Sequence, residues 1–169
     1  FLCLLWLWKK NHFLNHRHCL CTPESGSTIA SELRMKRGNN FYCNNVVYKP
    51  WGYEYVIYNN ANRLAITFLK INFGHKTSLH CHPNKKTGFI ILSGKAQVQI
   101  GIYKENNRNY GPLSRLVFRP GLFHSIKANS KQDVYALEFE TPFKKNDLVR
   151  FKDDYGRQSK HYEGKKFTK

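Results

Sequence analysis

No apolar run in this 169-residue chain approaches the ~20 residues needed to cross a bilayer as a helix, so the sequence contains no membrane-spanning helix. The apolar stub Phe1–Trp8 stops at Lys9-Lys10. Cysteines are few and odd in number, five in all, with Cys3, Cys19 and Cys21 crowded near the start and only Cys43 and Cys81 beyond. Such a set is not a disulfide framework. It points instead to a reducing compartment, and hence to a cytoplasmic location. Aromatic–basic segments of the RNA-binding kind are missing, although the formal charge is +17. The cations are scattered along an Asn- and Lys-rich chain, so the reading is a generic cationic surface and no nucleic-acid partner is expected. Methionine occurs once, at Met35, and no internal repeat is visible. Aromatic residues are plentiful, with 12 Phe, 10 Tyr and 3 Trp, and this favours strands over helices.

Residues 1–34 read differently from the rest of the chain. They carry neither strand alternation nor a sustained helical period. Their cluster of His12, His16, His18, Cys19 and Cys21 lacks the paired spacing of a zinc finger or knuckle. With organised sequence following Met35, residues 1–34 are expected to be a non-native or disordered extension. Residues 35–143 are then one β-barrel domain, and 144–169 a basic tail that packs on the barrel or trails it.

From Tyr53 onward the chain is a series of short strand-like runs. They are Tyr53–Tyr58, Arg63–Phe73, Thr77–His82, Gly88–Leu92, Lys95–Tyr103, Leu113–Arg119, Phe123–Lys127 and Asp133–Glu140. Ala96, Val98, Ile100 and Ile102 share one face with Gln97 and Gln99 on the other, the period of a half-buried strand. Ser93-Gly94 reads as a tight hairpin turn between two strands. Eight or more strands with short connections predict an all-β closed barrel or jelly roll. Asp147–Phe151 reads as a short helical piece in the tail.

One constellation carries chemistry. His80 and His82 are two residues apart on a predicted strand, so both imidazoles point to one face while Leu79 and Cys81 point to the other. His124 follows the turn Arg119-Pro120-Gly121, and a strand returning beside the first brings it to the same place. Three neutral imidazoles bind a divalent metal such as Zn, Fe, Mn or Ni and leave positions open to water or substrate. Cys81 reads as core, Trp51 and Tyr53 as barrel packing, and His75 as a loop residue.

These spacings resemble the cupin superfamily. Gly74, five residues, His80-Cys81-His82, four residues, Thr87, six residues and Gly94 follow the first cupin motif, with Thr87 standing where a metal-binding Glu is expected. Pro120-Gly121-Leu122-Phe123-His124 follows the second, with Arg119 in place of its first Pro and the closing Asn shifted to Asn129. The run Lys49-Pro50-Trp51-Gly52-Tyr53-Glu54 is similar to the opening of type II mannose-6-phosphate isomerase cupin domains. Glu140-Thr141-Pro142, Asn146-Asp147-Leu148-Val149-Arg150 and Asp154-Tyr155-Gly156-Arg157 look like small cupins of the same neighbourhood. The resemblance covers about Val47–Gly164.

The resemblance implies a cupin jelly roll with His80, His82 and His124 on the metal. Isomerase-like cupins usually keep a carboxylate ligand, and Glu138 and Glu140 are the candidates to supply it or to act as a base, with Glu138 the favoured catalytic residue. The plainer reading sets both on the solvated outer face. Lys85, Lys86 and Arg119 flank the mouth and, with Thr87, are candidate substrate contacts; Lys86, Thr87 and Arg119 are the expected set. The first function is an isomerase or epimerase of a sugar phosphate or nucleotide sugar in polysaccharide biosynthesis. A non-catalytic sugar-binding or regulatory cupin comes second, and a three-His Fe(II) dioxygenase third. The resemblance also implies a possible homodimer.

Overall fold

The computed structural model describes residues 42–43, 45–129 and 131–157, with the backbone of 165–166. The expected extension 1–34, with its His/Cys cluster, lies outside the described residues. Two six-stranded sheets face each other as a jelly roll. The first contains β1 (Val47–Lys49), β2 (Gly52–Asn60), β3 (Leu64–Ile71), β5 (Lys86–Ser93), β8 (Arg115–Phe118) and β10 (Val134–Thr141), ordered β1-β2-β3-β10-β5-β8. The second contains β4 (Leu79–Cys81), β6 (Ala96–Ile100), β7 (Asn107–Tyr110), β9 (His124–Ala128), β11 (Val149–Lys152) and β12 (Lys165–Lys166), ordered β12-β11-β4-β9-β6-β7.

Side-chain alternation decides what faces inward. In β3 and β10 every second residue is buried, which presents Ala65, Thr67, Leu69 and Ile71 inward beside Ala136, Glu138 and Glu140. The core between the sheets is built from Trp51, Ile71, Phe89, Ile91, Val98 and Ile126, among others. Trp51 is core packing, as expected, whereas Tyr53 sits on the outer face against Phe68. Ala61 and Asn62, both with φ in the left-handed region, are the central residues of the turn that Arg63 N–H closes onto the Asn60 carbonyl, in the three-residue connection from β2 to β3.

Four expectations change. Ser93-Gly94 is not a hairpin turn: β5 and β6 belong to different sheets, and the chain crosses between them there. Gly94 has φ +85°, and a Cβ at that position would come within 2.3 Å of the Asp133 carbonyl oxygen, so the crossover needs glycine. The run Lys95–Tyr103 ends as a strand at Ile100, and β7, with its polar sequence Asn-Arg-Asn-Tyr, escapes any apolar alternation. Residues 147–151 are not helical, because β11 occupies Val149–Lys152 and pairs with β4. The barrel therefore continues past residue 143, where a basic tail was expected to begin: Lys145, Asp147, Arg150 and Arg157 are all buried.

Candidate metal centre

β4 lies between β11 and β9 in its sheet, which is why Leu79, His80 and Cys81 are all buried. The antiparallel register sets His80 directly opposite His124 at the start of β9, and His82 leaves the end of β4 on the same side. The three candidate ligand nitrogens lie within 4.8 Å of one another. The ring centroids are 4.7–5.4 Å apart. Cys81 is a buried free thiol on the other face, and burial pushes its pKa up.

Each imidazole is oriented by its own backbone acceptor. Nδ1 of His80 is 2.7 Å from the Ser78 carbonyl, that of His82 2.6 Å from the Asp147 carbonyl, and that of His124 2.9 Å from the Leu122 carbonyl. A carbonyl only accepts, so the proton of each neutral ring resides on Nδ1 and the Nε2 lone pair is free to bind a cation. Nε2 of His82 and of His124 is buried with no hydrogen-bond partner among the described residues. The His124 ring is also held flat against Phe118, with 4.2 Å between centroids and 10° between planes. Burial, with help from neighbouring cations, holds His80 and His82 well below the ordinary imidazole pKa, and burial brings His124 down to about 4. Three neutral rings with shared aim and unused buried acceptors fit a divalent metal ion.

His80 and His82 open onto a cavity of about 70 Å³ whose far wall is formed by Glu138 and Glu140. The expectation that these carboxylates are solvated on the outer face fails: Glu138 is 8% exposed and Glu140 1%. Both lie at inward positions of β10, an interior strand of its sheet between β3 and β5. Neither belongs to the three-histidine group. Glu140 is the hub of an ion network. Lys85 Nζ donates to its Oε1; its Oε2 accepts from Lys145 Nζ at 2.9 Å and from Thr67 Oγ1 at 3.2 Å. Lys145 also approaches Glu54 at 3.7 Å, and Lys49 approaches Glu54 at 3.6 Å.

Burial alone pushes both carboxyl pKa values up, and their surroundings then split them. Lys145 and Lys85 bring Glu140 down to about 2, so it is ionised at any ordinary pH. Glu138 is raised to about 8 by burial and by the charge on Glu140, against the opposing pull of Lys145 and Lys85. Burial pulls the Lys145 ammonium down, yet Glu140, Glu54 and Glu138 together carry it above the ordinary lysine range. A carboxyl that titrates near neutrality in a cavity is suited to acid–base work.

Thr87 points into the barrel, 1% exposed, opposite Glu140 on β10 and Phe118 on β8, and its hydroxyl has no partner among the described residues. Lys86 and Arg119, by contrast, are exposed and do not line the cavity. Lys85 does line it, together with Lys49, Lys145, Arg150 and Arg157. Lys145, Arg150 and Arg157 escape a reading by pattern, as does the burial of Lys85, because charged residues in a polar stretch signal solvent. Only the carboxylate and carbonyl partners that the fold brings against them make burial tolerable.

The mannose-6-phosphate isomerase C-terminal family model matches residues 36–153. Among curated proteins, the xanthan biosynthesis protein XanB of Xanthomonas campestris is 27% identical over 135 residues, 76% of this chain and 27% of that protein. The alginate biosynthesis protein AlgA of Pseudomonas putida is 26% identical over 119 residues, 67% of this chain and 23% of that protein. The mannose-1-phosphate guanylyltransferase ManC of Salmonella typhimurium is 23% identical over 135 residues, 76% of this chain and 26% of that protein. The chain thus spans about a quarter of the length of these relatives. Among solved structures, the oxalate decarboxylase of Lactobacillus farciminis matches with TM-score 0.54 and 16% identity, over 63% of this chain and 33% of that one. The oxalate decarboxylase of Bacillus subtilis matches with TM-score 0.51 and 19% identity, over 59% of this chain and 28% of that one. These likenesses show the fold, a cupin barrel.

Proposed function

This chain belongs to the mannose-6-phosphate isomerase C-terminal family, and we propose that its barrel is a metal-binding cupin acting on a sugar phosphate or nucleotide sugar in polysaccharide biosynthesis, as an isomerase or epimerase. The observation that carries this reading is the split pair of carboxyls facing two of three pre-oriented imidazoles across one cavity. A divalent metal ion on His80, His82 and His124 would supply a Lewis acid for a carbonyl or hydroxyl oxygen of the sugar. Glu138, protonated at neutral pH, holds the proton that such a reaction must exchange. Glu140 stays ionised and keeps the cations Lys85 and Lys145 oriented toward the cavity.

In this reading Lys85 keeps the phosphate-facing role expected of it and Lys145 joins it, while Lys86 and Arg119 remain for contacts at the mouth. Thr87 contributes a hydroxyl beside Glu140. A volume of about 70 Å³ holds a few waters but not a whole hexose phosphate, so the cavity has to widen when such a substrate enters. The reading includes a cytoplasmic site of action. It also includes a homodimer, supported by the aromatic outer face of the first sheet, where Tyr53, Tyr55, Phe68 and Tyr135 cluster.

A second reading, sugar binding without turnover, is favoured by the absence of a carboxylate from the three-histidine group. One experiment separates the two. Protein purified without chelator or affinity nickel is analysed for metal, then assayed for interconversion of mannose 6-phosphate and fructose 6-phosphate and for thermal shifts with sugar phosphates and nucleotide sugars. Metal with turnover supports the isomerase; a ligand-induced shift without turnover supports the binding protein. No metal and no shift would sink both.

A further inference from the structure

The outer face of the second sheet carries a separate concavity of about 420 Å³ that shares no lining residue with the metal cavity. Its floor follows from strand register. Asn107, Gln99 and Ser125 lie side by side across β7, β6 and β9, and Gln97 and Lys127 form the neighbouring row, with Lys76 bridged to Lys127. Adjacent strands are ~4.8 Å apart, so amides, a hydroxyl and cations form a regular polar grid. One wall is Tyr155, whose ring lies parallel to that of His75, 5° between planes and 6.3 Å between centroids.

That wall is fixed from behind. The Tyr155 hydroxyl accepts the Lys76 backbone N–H at 3.3 Å, the Arg157 guanidinium lies 5.3 Å from the ring centroid, and the ring packs against the main core. Lys76 is occupied by Asp154 at 2.8 Å. Lys104 and Lys127 have no carboxylate partner among the described residues.

Size, polarity and charge together select a ligand class. The concavity falls within the range of ~300–1,000 Å³ typical of small-molecule sites, whereas the metal cavity does not. Side-chain amides offer a donor and an acceptor side by side, which matches the vicinal hydroxyls of a pyranose. The stacked His75 and Tyr155 rings give that side of the concavity an apolar aromatic border for a sugar. The two uncommitted lysines favour a ligand with a negative charge. We infer that this outer concavity binds an anionic saccharide, a pyranose carrying a carboxylate or a phosphate. The inference does not depend on the metal centre.

The test is a titration of the ¹⁵N-labelled chain with glucuronate, glucose 6-phosphate, glucose and inorganic phosphate, read by amide chemical shifts. Both charged sugars shift the amides of Gln97, Gln99, Lys127 and Gly156 saturably, and the stronger of the two identifies the anion. Glucose binds the same amides about tenfold more weakly, and Lys127→Gln weakens the charged sugars about tenfold while leaving glucose unchanged, as loss of one charge-assisted hydrogen bond requires. Gln99→Leu weakens glucose as well, because it removes the floor amide. Chelator-treated protein gives the same shifts, which separates this site from the inner one. Shifts confined to residues around His80, or inorganic phosphate binding as tightly as the charged sugars, would overturn the inference. So would the absence of saturable shifts with either charged sugar.

Discussion

The Nδ1–H of His82 donates to the backbone carbonyl of Asp147, 2.6 Å away and 65 residues later in the chain. The same aspartate uses its carboxylate to accept the backbone N–H groups of Asn84 and Lys85, at 2.9 and 3.0 Å, and the Asn84 side-chain amide at 2.7 Å. One residue of the segment between β10 and β11 thus aims a histidine and fixes the loop that delivers Lys85. The histidine centre and the cation network share this support.

Replacing His80, His82 or His124 with Ala is expected to lower metal content sharply and to a similar degree. Elemental analysis near the dissociation constant is the measurement, because the remaining pair retains some affinity at high metal concentration. Full retention in His124→Ala would remove that residue from the site.

Thr87→Glu introduces a carboxylate at an inward position beside Glu140. Without metal, a second buried charge and extra volume lower the melting temperature, with a cost of about 1–3 kcal/mol from packing alone. With metal the fourth ligand raises affinity, so the metal-induced thermal shift exceeds that of the wild type. Unchanged metal affinity in this variant would show that residue 87 does not reach the three histidines.

Lys85 and Lys86 are neighbours with opposite fates. Lys85→Ala leaves Glu140 short of one cation in a buried site and is expected to cost about 3–5 kcal/mol in urea denaturation. Lys86→Ala removes an exposed side chain and stays within about 0.5 kcal/mol of wild type. Equal effects from the two substitutions would contradict the inward orientation of Lys85.

Glu138 sets a pH dependence. Its carboxyl titrates at about 8 in the folded chain against 4.5 as the ordinary value, so between these limits the folded state holds a proton that the unfolded state has released. Stability from this group is complete below pH 4.5 and declines as pH rises toward 8, by at most about 1.4 kcal/mol per pH unit. The buried histidines act in the opposite sense, but their ordinary pKa is 6.5, so their stability contribution changes little above that pH. Metal-free protein is therefore expected to lose stability between pH 6.5 and 8, and Glu138→Gln to flatten that decline. A wild-type profile that is already flat over this range would mean that Glu138 is ionised in the fold.

The β-rich class and the His80–His82 pair were legible in the chain because both depend on short-range periodicity, whereas His124 was reached through the spacing of the second motif. A spacing of two puts His80 and His82 on one face of any strand, and Ala96, Val98 and Ile100 on one face of β6. The partners of those faces are a different matter. That Ser93-Gly94 crosses between sheets rather than closing a hairpin depends on which strands pair, and the same is true of Asp147 reaching back to His82. The inward orientation of Glu138 and Glu140 is invisible to pattern reasoning, since alternation defines two faces but not which one meets the other sheet. Burial of Lys85, Lys145 and Arg150 was hidden for a related reason. A charge enters a low-dielectric interior only when its counter-charges and carbonyl acceptors arrive with it, and for Lys85 and Lys145 these include, respectively, Glu140 and Glu54 from strands distant in sequence. Local order was written in the sequence; the tertiary structure alone decided which charges became neighbours.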